Sequence, residues 1–145
     1  MIVHKFGGTS VGDAGRFAGV ADILIGHHGE TDDAAVCEIV VVLSAMSGVT
    51  NQLIAGARAA AEGRDTVYRE TKAALLSRHL GVVDTLLNHS RERLEVGGLI
   101  EDRLHELERL YRSIAVLGEL TARGRDVVAS FGEPLSTSIL AAVLR

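Results

Sequence analysis

Disulfides, membrane spans and an excess of positive charge are what this 145-residue chain lacks. Its single cysteine, Cys37, cannot form an internal disulfide, which points to a reducing compartment. The longest uninterrupted apolar run, Ile139 to Leu144, is far short of the roughly 20 residues that span a bilayer. No apolar signal-peptide core follows Met1, so a cytoplasmic location is expected. Fifteen basic against nineteen acidic residues leave a net charge of −4, which argues against nucleic acid or an anionic membrane as the main partner. Proline occurs once and tryptophan not at all, while alanine and leucine are plentiful, a balance that favours helices. With 47% hydrophobic and 23% charged residues the chain is too apolar to be disordered. Its length allows one domain or a piece of one.

The order of local patterns predicts an α/β protein. Ile2 to Phe6 reads as a strand that ends abruptly at Gly7-Gly8. Asp13 is placed to cap a helix whose Phe17, Val20, Ala21 and Leu24 share one face, with Gly26 and Gly29 at its end. An acidic loop, Glu30 to Asp33, leads to a second strand over Val36 to Ser44. The β-branched run in that strand suits a central parallel position covered on both faces. The loop Ser44 to Asn51 then enters a helix ending near Gly63. Helical patterns follow from Arg64 to about Glu95, with Leu94 and Val96 at the end of that arm, and from Leu99 to about Gly118. In the second arm Ile100, Leu104, Leu107, Tyr111 and Ile114 form one apolar stripe. Gly97-Gly98 reads as the turn of an αα-hairpin between the two arms. Pro134 suits the first turn of a last helix, continued by Leu135 to Leu144. Two parallel strands cannot complete a sheet, and no stop signal precedes Arg145, so the first part of a larger domain is expected.

Chemistry concentrates in Lys5-Phe6-Gly7-Gly8-Thr9-Ser10. Glycines at a strand-to-helix turn let backbone N–H groups approach a phosphate, and a lysine there offsets charge on a migrating phosphoryl group. The lysine precedes the glycines, so this is not a Walker A loop. Taken alone, Lys-x-Gly-Gly is equally a tight turn beside an exposed lysine. Other candidates are weaker. His4, His27, His28, His79, His89 and His105 show no ligand-type spacing and read as solvated or helix-end residues. Cys37 reads as a small core residue, and the arginines, interspersed with acids, as a solvated face.

The whole opening, Lys5 to Val11, resembles the signature of the aspartokinases within the amino acid kinase family. Two further segments match in the expected order: Ser44-Ala45-Met46-Ser47-Gly48-Val49-Thr50-Asn51, similar to that family's second loop, and Ser130-Phe131-Gly132-Glu133-Pro134-Leu135-Ser136, similar to its Gly-Glu motif at a helix start. The resemblance implies a three-layer αβα fold with a mainly parallel sheet, of which residues 1–145 are the helix-rich N-terminal portion. It also implies transfer of the γ-phosphoryl group of ATP to L-aspartate, giving 4-phospho-L-aspartate, the first step of lysine, threonine and methionine biosynthesis. Lys5 would then be catalytic and contact the ATP phosphates, with Phe6, Gly7, Gly8 and Ser10 on the phosphate side. Thr50 and Glu133 would bind aspartate. Mg²⁺ would arrive with ATP, and no metal ligand of the chain is implied. A sister kinase acting on glutamate or acetylglutamate fits the hexapeptide less well.

The resemblance further implies a homo-oligomer, with aspartate and ATP as the partners. The family's second half-domain and its paired regulatory ACT domains have no counterpart in these residues, so the isolated chain is expected to be inactive. The alternative is a non-catalytic truncated module that associates with a full-length subunit or with itself.

Overall fold

The computed structural model describes residues 1–29, 39–88 and 91–145. It is helix-rich with a small parallel sheet. Strands β1 (Ile2–Phe6) and β2 (Ile39–Leu43) pair in parallel, from Ile2 opposite Ile39 to Phe6 opposite Leu43. A 3-10 turn (Gly8–Val11) and helix α1 (Ala14–Gly29) lie between them in sequence. After β2 come α2 (Val49–Ala61), α3 (Asp65–Leu86), α4 (Arg91–Leu117), α5 (Ala122–Ala129) and α6 (Gly132–Val143). The loop Glu30 to Asp33, Cys37, the residues of the second strand before Ile39, and His89 lie outside the described residues, as do the side chains of His27 and His28.

Local chemistry explains the frame. Asp13 Oδ1 accepts the Arg16 backbone N–H at 3.0 Å, satisfying one of the donors that open α1. Phe17, Val20, Ala21 and Leu24 are all buried below it. Helices α2, α3 and α4 pack together around Leu53, Tyr68, Leu75, Leu104 and Tyr111. The Tyr111 hydroxyl donates to the Leu53 carbonyl at 2.8 Å, and a Cβ on Gly56 would lie 2.6 Å from that hydroxyl oxygen, so the helices meet where a side chain is missing. Lys72 of α3 and Glu108 of α4 form a largely buried pair at 2.7 Å.

Several expectations need correction. Gly97-Gly98 is no turn: both residues sit inside α4, which begins at Arg91, while α3 ends at Leu86. Leu94 and Val96 therefore belong to α4. A Cβ on Gly97 would meet Leu80 Cδ2 at 3.7 Å, so it lies at the α3–α4 contact, where packing outweighs the roughly 0.5–1 kcal/mol cost of a helical glycine. Helix α5 was not anticipated, because eight residues are too few for a clear period; Thr121 caps it by accepting the Gly124 N–H at 3.0 Å.

Cover on both faces of β2 is realised on one. Phe6, Ile39 and Val41 pack against the core, whereas Val3, Val40 and Val42, which alternate with them, stay 59%, 43% and 44% exposed. His79 is neither solvated nor at a helix end but fully buried within α3. Arg78 beside it also leaves the solvated face: it is half-buried and donates to the Gly12 carbonyl at 3.2 Å.

Candidate functional site

Three loop-to-helix junctions meet at one end of the sheet. The first is the glycine turn. Gly7 is extended, the Ser10 N–H donates to the Gly7 carbonyl at 2.9 Å, and no side chain caps the start of the 3-10 turn, so its first amides are not claimed from that side. The second is the loop after β2. Its Ser44 N–H donates to the Phe6 carbonyl at 3.0 Å, which ties it to the end of β1. Gly48 follows with φ of 78°, a left-handed turn that glycine adopts without strain, and α2 starts at the next residue. The third is the start of α6, where Glu133 stands in the first turn beside the favourable end of the helix dipole.

Small residues let the three approach. A Cβ on Gly8 would lie 2.8 Å from the Ala45 carbonyl oxygen, and one on Gly132 would lie 2.6 Å from Ala45 Cβ. The first loop therefore packs on one side of Ala45 and the third on another. An open cleft of about 380 Å³ results, lined by Gly8, Thr9, Ser44, Ala45, Met46, Ser47, Gly48, Thr50 and Glu133.

The structure brings Gly8, Thr50 and Glu133 to this one cleft. Lys5, Phe6, Gly7 and Ser10 do not line it. Lys5 is exposed at the register position of Val42, on the open face of the sheet with Val3 and Val40. Thr50 is half-buried in the first turn of α2. Glu133 is exposed, and among the described residues no ion pair takes its carboxylate. Ser44, Ser47 and Thr9 add hydroxyl-bearing residues to the walls. Sequence reasoning did not single these out individually; membership in the two loop motifs was the only signal. Chemically the cleft offers a carboxylate, several hydroxyls and a glycine turn. Such a set can hold a small molecule bearing both an ammonium and a carboxylate group beside an anion.

Comparison with known proteins identifies the family and the fold. The model of the amino acid kinase family matches residues 1–145. The chain is 38% identical over 143 residues to aspartokinase 1, chloroplastic, of Arabidopsis thaliana, covering 98% of this chain and 23% of that protein. It is 35% identical over 150 residues to the lysine-sensitive aspartokinase 3 of Escherichia coli (strain K12), covering 100% of this chain and 28% of the relative. Among solved structures, E. coli aspartokinase III in complex with aspartate and ADP superposes with a TM-score of 0.77 at 29% identity, over 100% of this chain and 29% of that one. The T-state form, in complex with lysine and aspartate, gives the same TM-score at 31% identity. The chain thus spans about a quarter of the length of the curated relatives it matches.

Proposed function

This chain belongs to the amino acid kinase family, and we propose that residues 1–145 are the N-terminal portion of an aspartokinase domain, holding L-aspartate and one side of the ATP phosphates. The observation that carries this reading is the convergence of Gly8, Thr50 and Glu133, from three separate motif segments, on one cleft. The aspartate and ADP held by the E. coli relative support the choice of substrate and nucleotide.

The chemistry follows from the side chains. Glu133 pairs with the α-ammonium group of aspartate, and the Thr50 hydroxyl donates to a carboxylate. The glycine turn presents backbone N–H groups to the phosphates. Lys5, exposed at the end of β1 on a flexible four-carbon stem, reaches the transferring group as a point charge. The side-chain carboxylate of aspartate is already ionised at neutral pH and needs no strong base. Its oxygen bonds to the γ-phosphorus while the bond from that phosphorus to the bridging oxygen breaks and ADP leaves. Catalysis by this route is positional and electrostatic. Mg²⁺ arriving with ATP would keep most of its waters; the hydroxyls of Ser44 and Ser47 would face it, and it would neutralise phosphate charge.

A second reading, a non-catalytic module that associates with a longer subunit or with itself, draws on the exposed apolar face of Val3, Val40 and Val42. Aspartate-dependent ADP release from Mg-ATP separates the two. It should be absent from the isolated 145-residue chain, present in the full translation product that contains these residues, and strongly reduced there by Lys5→Ala. No release from the full product would overturn the aspartokinase reading.

A further inference from the structure

A glycine turn with few side chains has little of its own to hold it in place, so its fixed points come from elsewhere. Two arginines supply them here. Arg16, which also pairs with Asp13 at 3.4 Å, donates to the Thr9 carbonyl. Arg78, on α3, donates to the Gly12 carbonyl at 3.2 Å across 66 positions of sequence. The second contact is the unusual one. A half-buried guanidinium most often finds a carboxylate, yet no ion pair among the described residues includes Arg78, and a main-chain oxygen of the turn takes its donor. Gly12 is also where the turn touches the second loop, since a Cβ there would lie 3.7 Å from Ser47 Cβ. Arg78 thus anchors the far end of the turn at its contact with a wall of the cleft, while the near end is fixed by Gly8 against Ala45.

We propose that Arg78 is a positioning residue for nucleotide phosphate binding: it holds the Gly7–Gly12 turn against the Ser44–Ser47 loop from the α3–α4 hairpin. This rests on the kinase reading above. Arg78 itself touches no substrate. Its loss leaves Thr50 and Glu133 in place and lets the turn move, so the nucleotide side of the reaction suffers and the aspartate side does not.

Arg78→Gln and Arg78→Lys in the full translation product test this. In Arg78→Gln, amide hydrogen exchange over residues 7–13 should quicken about tenfold, with α3 and α4 unchanged. The dissociation constant for Mg-ADP should rise about tenfold, while the KM for aspartate moves less than about twofold. Arg78→Lys, which keeps one donor, should recover most of both effects. Unchanged exchange in the turn overturns the proposal. So do faster exchange throughout α3 and α4 with both substrates weakened, the pattern of a merely structural residue, and a failure of the unsubstituted protein to bind Mg-ADP. If ADP binds but no aspartate-dependent release occurs, the aspartate assignment fails, and exchange with the ADP titration still decides the role of Arg78.

Discussion

Gly132 packs so closely on Ala45 that a Cβ added to Gly132 would lie 2.6 Å from the Ala45 methyl carbon. Ala45 is only 5% exposed and borders the glycine turn as well, so the third motif is seated on the second. Gly132→Ala should cost about 1–3 kcal/mol, as overpacking of a close contact does. A urea unfolding midpoint would show the loss, and Ala45→Gly in the same chain should return part of it. Gly8→Ala should behave differently. Its clash, at 2.8 Å, is with the Ala45 carbonyl oxygen, which Ala45→Gly leaves in place, so no rescue is expected.

Tyr111 makes the same argument in the helical layer. Its buried hydroxyl donates to the Leu53 carbonyl, and Tyr111→Phe should cost about 1 kcal/mol. Burial also pushes the hydroxyl pKa up from its ordinary value of 10.0. A folded pKa above the unfolded one gives stability that is complete below pH about 10 and lost as pH rises beyond it. Alkaline unfolding followed by circular dichroism should therefore be less steep above that pH in Tyr111→Phe.

What the sequence disclosed depended on the range of each signal. The span of β1, the Asp13 cap and the buried stripe from Ile100 to Ile114 are local patterns, and each appears in the structure as expected. The hairpin turn was misplaced because Gly97-Gly98 is a stronger local break than Leu87-Asn88, where α3 has already ended. Packing of Gly97 against Leu80, from the facing helix, is invisible to a local reading. The site divides the same way. Motif segments named Gly8, Thr50 and Glu133, but spacing alone says nothing of their meeting around Ala45. Arg78 looked like its neighbours, since only the fold reveals that Gly12 lies within its reach.

Acid should expose the cost of burying His79. Its Nδ1–H donates to the Leu75 carbonyl at 2.6 Å, while Nε2 is buried with no partner among the described residues. Burial lowers its pKa below 6.5, the Leu75 bond opposes that, and Arg78 adds a smaller lowering. The unfolded chain then binds the proton more readily than the folded one. Stability from this source is complete above pH about 6.5 and falls as the pH drops toward the folded value. His79→Leu should flatten the stability profile between about pH 7 and 5. Glu108 acts lower. Hydrogen bonds from Lys72 first and Arg112 second hold its carboxyl below 4.5, so its contribution is present above that pH and lost beneath it. Glu108→Gln should leave the slope near neutrality unchanged and reduce the one below about pH 4.5.

Thr50 and Glu133 enter the cleft from different helices, and their substitution should separate substrate from nucleotide. Glu133→Gln keeps the shape and removes the charge that would face the ammonium group. A charge-assisted hydrogen bond is worth about 1.5–3 kcal/mol, so the KM for aspartate in the full translation product should rise about 10- to 100-fold. The KM for ATP should stay near its original value, because in the proposed site the carboxylate would face aspartate and not the phosphates. Thr50→Ala removes a neutral donor, and a smaller rise, about three- to tenfold, is expected. Lys5→Ala should do the converse: it should lower kcat and leave the KM for aspartate almost untouched, since in the proposed site its charge would act on the migrating phosphoryl group. Equal effects of Glu133→Gln on both KM values would mean that the carboxylate only steadies the start of α6. Its place in the first turn of that helix permits such a role, and the split between the two constants is what tells the roles apart.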